Sequence, residues 1–198
     1  MRFTPTAVAG AMIVEAQRTE DERGFFSRVF CAREFAAQGM ESAFVQASVS
    51  RNRRARTLRG MHFQAQPHPE AKLISCRAGA IFDVVADMRM HSPTFGRWFG
   101  VELTAENGKA VYVPEDCAHG FMTITDESEV FYQMTALYVP ELARGFRWDD
   151  PTVGISWPHA PGVISERDKS LPDFVTVAQE IAAGQKADGM AAWPRAAR

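Results

Sequence analysis

Thr57-Leu58-Arg59-Gly60-Met61-His62-Phe63-Gln64 is a short apolar run too brief for a helix of ordinary length, and it reads as a strand. It carries one histidine among aromatic and apolar neighbours, an arginine three positions before it, and Lys72 ten positions after it. A histidine titrates near neutral pH and can act as a base, while a guanidinium keeps its charge and matches phosphate oxygens in a forked geometry. Alone, the stretch fits equally a core strand with one satisfied histidine and one surface arginine.

The rest of the chain repeats that pattern. Further candidate strands are Ala11–Val14, Phe25–Phe30, Phe44–Ser50, Lys72–Arg77, Ala80–Arg89, Trp98–Leu103, Ala110–Val113, Gly120–Thr125, Glu129–Leu137 and Gly145–Trp148, broken by Gly, Pro, Asn or Asp. Many short strands with almost no helical periodicity between them predict an all-β antiparallel jelly roll, a barrel or sandwich with a few short helices. One helix is expected at Ala32–Gln38, stopping at Gly39. Residues 1–174 read as a single domain. From Val175 the composition shifts to Ala, Gly, Gln and Lys, predicting a helix over Val175–Ala183 and a frayed or disordered tail over Gly184–Arg198.

With 198 residues, 46% of them apolar, the chain can bury a sizeable core. The formal charge of -2 speaks against nucleic acid or an anionic membrane as the main partner. A local basic run, Arg51-Asn52-Arg53-Arg54-Ala55-Arg56, reads as a solvated loop or as positive potential at the mouth of an anion site. Cys31, Cys76 and Cys117 are odd in number and lack metal-ligand spacing, as expected of free thiols in a reducing compartment. No window has the length and hydropathy of a membrane span or of a secretory leader, so a cytoplasmic protein is expected.

Alternation then sorts side chains. In Ala80–Arg89, Asp83 and Asp87 share parity with Ile81 and Val85, so Asp83 faces either solvent or the interior, where it would orient a histidine. Tyr132 shares a face with Val130 and Met134, and a lining tyrosine needs a partner for its hydroxyl. His62, His68 and His119 are candidate site members. A metal would need a His-x-His pair, but Gln64 stands two after His62, and His68 and Glu70 lie in a Pro-rich loop; no metal is expected. The same groups suit proton transfer beside a ketone: His62 as base, Lys72 facing the enolate oxygen, Tyr132 as acid.

Over about Ile13–Phe174 the chain resembles the dTDP-4-dehydrorhamnose 3,5-epimerase family, cupin-fold enzymes acting on nucleotide-linked 4-keto sugars. The resemblance is carried by Asp21-Glu22-Arg23-Gly24-Phe25-Phe26, Leu58 to Gln64, Lys72, Gly79-Ala80-Ile81-Phe82-Asp83-Val84, Ser92-Pro93-Thr94-Phe95-Gly96, Ala118-His119-Gly120-Phe121 and Tyr132. It continues through Arg147-Trp148-Asp149-Asp150-Pro151, Ile155-Ser156-Trp157-Pro158 and Ser165-Glu166-Arg167-Asp168. The resemblance implies a cupin-type jelly roll and an isomerase without metal or organic cofactor. It implies that His62 is the base, Asp168 its supporting carboxylate, Tyr132 the acid and Lys72 the group facing the keto oxygen. It further implies that Asp83, His119 and Phe121 lie near the sugar, Arg23 and Arg59 on the pyrophosphate, and Phe26, Gln46, Arg28 and Ser48 on the nucleotide side. A homodimer is expected on the same basis.

Three positions depart from the family pattern: Arg28 where a Glu helps hold thymine, Ser48 where Asn is usual, and Asp116 where Gly is usual. The first two fall on the nucleotide side, leaving a GDP- or CDP-linked sugar, or inversion of one carbon, open. Competing readings are a metal-dependent cupin enzyme and a jelly roll that binds a sugar nucleotide without chemistry.

Overall fold

A computed structural model of the protein describes residues 1–188. The strands in chain order begin with β1 (Arg2–Pro5), β2 (Met12–Glu15), β3 (Arg18–Asp21), β4 (Gly24–Ser27), β5 (Gln46–Asn52) and β6 (Thr57–Gln64). There follow β7 (Lys72–Ala78), β8 (Ala80–Asp87), β9 (Trp98–Thr104), β10 (Lys109–Val113), β11 (Cys117–Thr123) and β12 (Ser128–Met134). Two short strands, β13 (Ala143–Gly145) and β14 (Val163–Ile164), complete the set. The helices are α1 (Ala32–Ala37), the single turn α2 (Glu166–Lys169) and α3 (Phe174–Asp188).

The strands form two sheets. One runs β1-β2-β10-β7-β12-β5; the other runs β13-β6-β11-β8-β9, with β14 pairing in parallel on the same edge of β6 as β13. From β5 to β13 consecutive strands alternate between the sheets except at the β8–β9 hairpin, as in a jelly roll. The β3–β4 ribbon stands apart as its own two-stranded sheet.

Three apolar layers follow from strand parity. Ile74, Ile81, Val85, Leu103, Val111, Phe121 and Val130 fill the space between the sheets. Val84 and Ala86, on the opposite face of β8, join Met61, Phe63, Phe146, Phe174 and Val177 in a layer under α3. Phe35 of α1 is buried with Val14, Leu73 and Tyr112 on the outer face of the first sheet. Each central strand is therefore buried on both faces, which is why β8 reads as an almost continuous apolar run rather than an alternation. The run ends at Asp87, a fully buried carboxylate that accepts hydrogen bonds from the Arg89 guanidinium (2.8 Å), Ser92 Oγ (2.5 Å) and Thr94 Oγ1 (2.6 Å).

Most expected elements are present with ends shifted by a few residues. The Phe25–Phe30 strand contracts to Gly24–Ser27, and the strand expected at Gly145–Trp148 lies at Ala143–Gly145. The strands β1, β3 and β14 were not anticipated: β3 is Arg-Thr-Glu-Asp, with every residue exposed, and has no apolar periodicity to read. Helix α3 begins at Phe174 and continues to Asp188, past the expected end at Ala183; the rest of the expected frayed tail, residues 189–198, lies outside the described residues. Among the described residues no helix is long and apolar enough to cross a membrane.

Candidate active site

At one end of the sandwich the inner faces part into two adjoining lobes of about 380 and 330 Å3. His62, Lys72, Tyr132 and Arg167 line both. Lys72 and Tyr132 come from neighbouring strands β7 and β12 of the first sheet, His62 from β6 of the second. The site is thus assembled across the sandwich from residues far apart in sequence.

The geometry of β6 is set by a bulge. Arg59 pairs with Phe121 and His62 with His119, so three steps along β6 oppose two along β11. Strict alternation would put Arg59 and His62 on opposite faces; the extra residue turns both toward the cavity. Gly60 makes this possible. Its φ is +136°, and a Cβ there would lie 2.6 Å from the Gly120 Cα, so no larger residue fits.

His62 Nε2 lies 2.7 Å from Asp168 Oδ1, and the ring remains partly open to the cavity, with 35% side-chain exposure. Asp168 comes from α2, a single turn capped by Ser165, whose Oγ accepts the Asp168 backbone N–H at 3.1 Å. The second carboxylate oxygen of Asp168 accepts the Gly60 N–H at 3.4 Å. Burial pushes this carboxyl up, but hydrogen bonds from His62, Gly60 and Ser165 and the charge of His62 outweigh it, and the group is held below the usual carboxylate range. An ionised Asp168 can only accept, so Nε2 carries the proton toward it and Nδ1 is left as the basic nitrogen.

Tyr132 packs against the inter-sheet core, with its ring edge-on to His119 at 6.0 Å. Burial, and then the charge of Asp83, push its phenol well above the ordinary value, against smaller opposing effects of Arg59 and the Ser50 hydroxyl. It stays protonated at any working pH, the state an acid requires. Lys72, itself buried, has its ammonium 3.0 Å from Glu70 Oε1.

His119 is nearly closed off, with 5% side-chain exposure, and its Nε2 lies 2.7 Å from Asp83 Oδ1. Asp83 therefore faces inward and orients a histidine, the second of the two expectations for it. It sits behind His119 rather than in the cavity wall, and its Oδ2 has no hydrogen-bond partner among the protein atoms. Phe121 and Arg59 line the lobe on this side, and the Arg59 Nε donates to Asn52 Oδ1 at 2.8 Å. Gln46 and Ser48 of β5 line the other lobe.

Three expected site residues are not brought to this cavity within the chain: Arg23, Phe26 and Arg28. Arg23 makes a forked pair with Asp21 in the β3–β4 turn (2.6 Å), Phe26 is 79% exposed, and Arg28 reaches Glu34 at 3.3 Å. The cause is sheet parity. The ribbon lies over Leu73, Ser75 and Phe131, on the outer face of β7 and β12, whereas Lys72 and Tyr132 project from the inner face.

Other lining residues were not anticipated. Arg167 and Arg144 flank the mouth, and Tyr138 lines the wall beside Gln46, whose Oε1 accepts the Tyr138 backbone N–H at 3.1 Å. Gln64 is buried, and its side chain is used up on backbone groups: Nε2 donates to His68 O (2.6 Å) and Leu137 O (3.1 Å), and Oε1 accepts Val139 N–H (2.8 Å). The position where a His-x-His pair would carry its second ligand is thus a clamp between two loops. Among the described residues no group of three or more His, Cys, Asp or Glu could hold a metal ion.

Known proteins resemble this chain over most of its length. Residues 5–176 match the family profile of dTDP-4-dehydrorhamnose 3,5-epimerase. The enzyme of that name from Methanothermobacter thermautotrophicus is 43% identical over 172 residues, covering 85% of this chain and 92% of its own. The crystal structure of the Legionella pneumophila dTDP-6-deoxy-D-glucose-3,5-epimerase in complex with dTDP-4-keto-L-rhamnose superposes with a TM-score of 0.85 at 35% identity, covering 91% of this chain and 96% of that one. A 3'-monoepimerase from Streptomyces bikiniensis in complex with dTDP-quinovose gives 0.82 at 32% identity, covering 94% and 97%. The chain belongs to the dTDP-4-dehydrorhamnose 3,5-epimerase family.

Proposed function

We propose that the protein is an isomerase that inverts carbons 3 and 5 of dTDP-4-keto-6-deoxyglucose by proton abstraction and return next to the keto group. The observation that carries this reading is the cavity in which an Asp168-backed His62, a buried ammonium at Lys72 and a protonated Tyr132 converge from opposite sheets. His62 Nδ1 removes the proton, Lys72 steadies the enolate oxygen, and Tyr132 returns a proton from the other face. Asp168 stays a carboxylate throughout and stabilises the imidazolium that forms. His119 borders the sugar with Asp83 behind it, while Arg59 holds the pyrophosphate and Gln46 and Ser48 face the nucleotide. The nucleotide assignment draws support from the Legionella relative, which was crystallised with a dTDP-4-keto sugar.

The functional unit in this reading is a cytoplasmic homodimer. The ribbon holding Arg23 and Phe26 is exposed and lies away from its own cavity, where Phe26, and Arg23 on exchanging Asp21 for a phosphate, can reach a second protomer's site. Arg28, at the end of the same segment, travels with them.

Incubation with dTDP-4-keto-6-deoxyglucose in deuterated buffer tests the assignment: deuterium should enter at carbons 3 and 5. Absence of label at both carbons would refute it. In Tyr132→Phe, deuterium exchange through His62 should persist while net inversion falls by about 100-fold, the scale of a lost general acid. Inversion at the wild-type rate in that variant would remove tyrosine from the acid role.

A further inference from the structure

Among the described residues Lys72 has one ion-pair partner within 4.0 Å, and it belongs to a loop rather than to the catalytic strands. The Glu70 carboxylate lies 3.0 Å from the Lys72 ammonium, and the two side chains are only 10% and 11% exposed. Glu70 lines the same lobe as Gln46, Ser48, Lys72 and Tyr132. Its backbone is fixed on both sides. Gln64 Nε2 donates to His68 O two residues before it, and the next residue, Ala71, donates its N–H to Thr135 Oγ1 at 2.8 Å and accepts the Thr135 N–H at 3.0 Å. A rigid loop therefore presents a carboxylate to a lysine whose long stem would otherwise sample several rotamers.

Two physical demands meet here. A buried ammonium is costly to keep charged unless it is paired. A lysine stem also has rotamer entropy to lose before its head points one way. A fixed anion within hydrogen-bonding distance answers both.

We infer that Glu70 is a positioning residue that tethers Lys72 so that its ammonium meets the keto oxygen. The inference rests on the epimerase reading and deepens it: Glu70 acts through Lys72 and touches no reacting atom. The tether is an ion pair that fixes where the ammonium sits and leaves its protons for the substrate oxygen.

A double-mutant cycle tests it. Glu70→Ala should lower kcat for deuterium wash-in by about 10-fold, with KM changed by less than about 2-fold, since misplacing a positioned group costs mainly the chemical step. Glu70→Gln, which keeps the acceptor oxygen but not the charge, should recover part of that loss, and it serves in place of Glu70→Ala if the alanine variant does not fold. In a Lys72→Ala background the Glu70 substitution should cost nothing further. Additive losses, or an effect confined to KM, would overturn the proposal.

A second readout does not depend on turnover. Reductive methylation with 13C-formaldehyde should label Lys72 several-fold faster in Glu70→Ala than in the wild type, with the Lys72→Ala protein assigning the resonance. An unchanged labelling rate would also overturn it. If the wild-type protein itself shows no wash-in, the epimerase reading fails, and the labelling rate alone decides the tether.

Discussion

Two histidine–aspartate pairs stand side by side, on residues that face each other across β6 and β11, and both have Nε2 to Oδ1 separations of 2.7 Å. Distance does not tell them apart; their surroundings do. His62 has 35% side-chain exposure and opens on both lobes, while His119 has 5%. Asp168 sits on a capped helical turn with donors from a ring, the Gly60 amide and the Ser165 hydroxyl around it. Asp83 sits mid-strand with one oxygen bonded to His119 and the other without a partner. A satisfied carboxylate behind an accessible ring describes a working base; a half-satisfied one behind a buried ring describes part of the wall.

The largest expected difference between the pairs is chemical. His62→Ala should reduce deuterium wash-in by about 100 to 10,000-fold, the range for loss of a general base, whereas His119→Ala should leave a readily measured rate. Equal losses would mean that both rings carry protons. The next difference is in stability and has the opposite sense. Removing His119 leaves the Asp83 carboxylate buried with no partner, so His119→Ala should cost about 3 kcal/mol in urea unfolding, at the lower end for breaking a buried pair. His62→Ala, which leaves Asp168 its Gly60 and Ser165 donors, should cost clearly less. A reversed order of unfolding midpoints would sink the distinction.

Acid sharpens the contrast from the carboxylate side. Asp168 is held below the usual carboxylate range in the folded state. Such a group stabilises the fold above the unfolded value of about 3.9, and that contribution is lost as pH falls through the folded value. The stability gap between wild type and Asp168→Asn should therefore be widest near neutral pH and narrow on acidification. A gap that does not change with pH would mean that the hydrogen bonds around Asp168 do not favour its charged form.

How much of this was legible in the sequence follows from which physical signals are local. Strand positions were readable because burial on one or both faces imposes a period of two or a continuous apolar run; Thr57–Gln64 was placed to the residue. Parity grouped Asp83 with Ile81 and Val85 but left its face open between solvent and interior; the structure turns it inward, onto His119. The joint inward facing of Arg59 and His62 was not legible, because a bulge at Gly60 breaks parity and depends on how closely Gly120 approaches from the next strand. The His62–Asp168 contact spans 106 residues, and only the family resemblance pointed to it. Arg23, Phe26 and Arg28 were grouped with the cavity by that same resemblance, yet the chain's own ribbon lies over the other face of the sheet. Glu70 was read as a weak metal ligand in a proline-rich loop; its contact with Lys72 requires the loop to be pinned by Gln64 and Thr135, neither of which a spacing rule reveals.

Asp116 gives the smallest effect and the opposite acid response. Its φ is +57°, in the left-handed region, which explains how an aspartate can stand where the family usually has glycine. Its Oδ2 accepts from Gln66 Nε2 at 2.9 Å, a modest compensation. Burial nevertheless pushes this carboxyl up, against smaller lowering from Gln66 and Arg89. A group raised on folding favours the folded state when protonated and penalises it once ionised, so the penalty is present near neutral pH and vanishes below the ordinary carboxylate value. Asp116→Gly removes both that penalty and the cost of a left-handed non-glycine residue, and gives up one hydrogen bond and some unfolded-state restriction. The net expectation is a gain of less than about 1 kcal/mol in urea unfolding near pH 7 that shrinks or reverses by about pH 3.5. A gain of the same size at both pH values would assign it to backbone conformation alone, and the half-buried charge at this turn would then count for nothing.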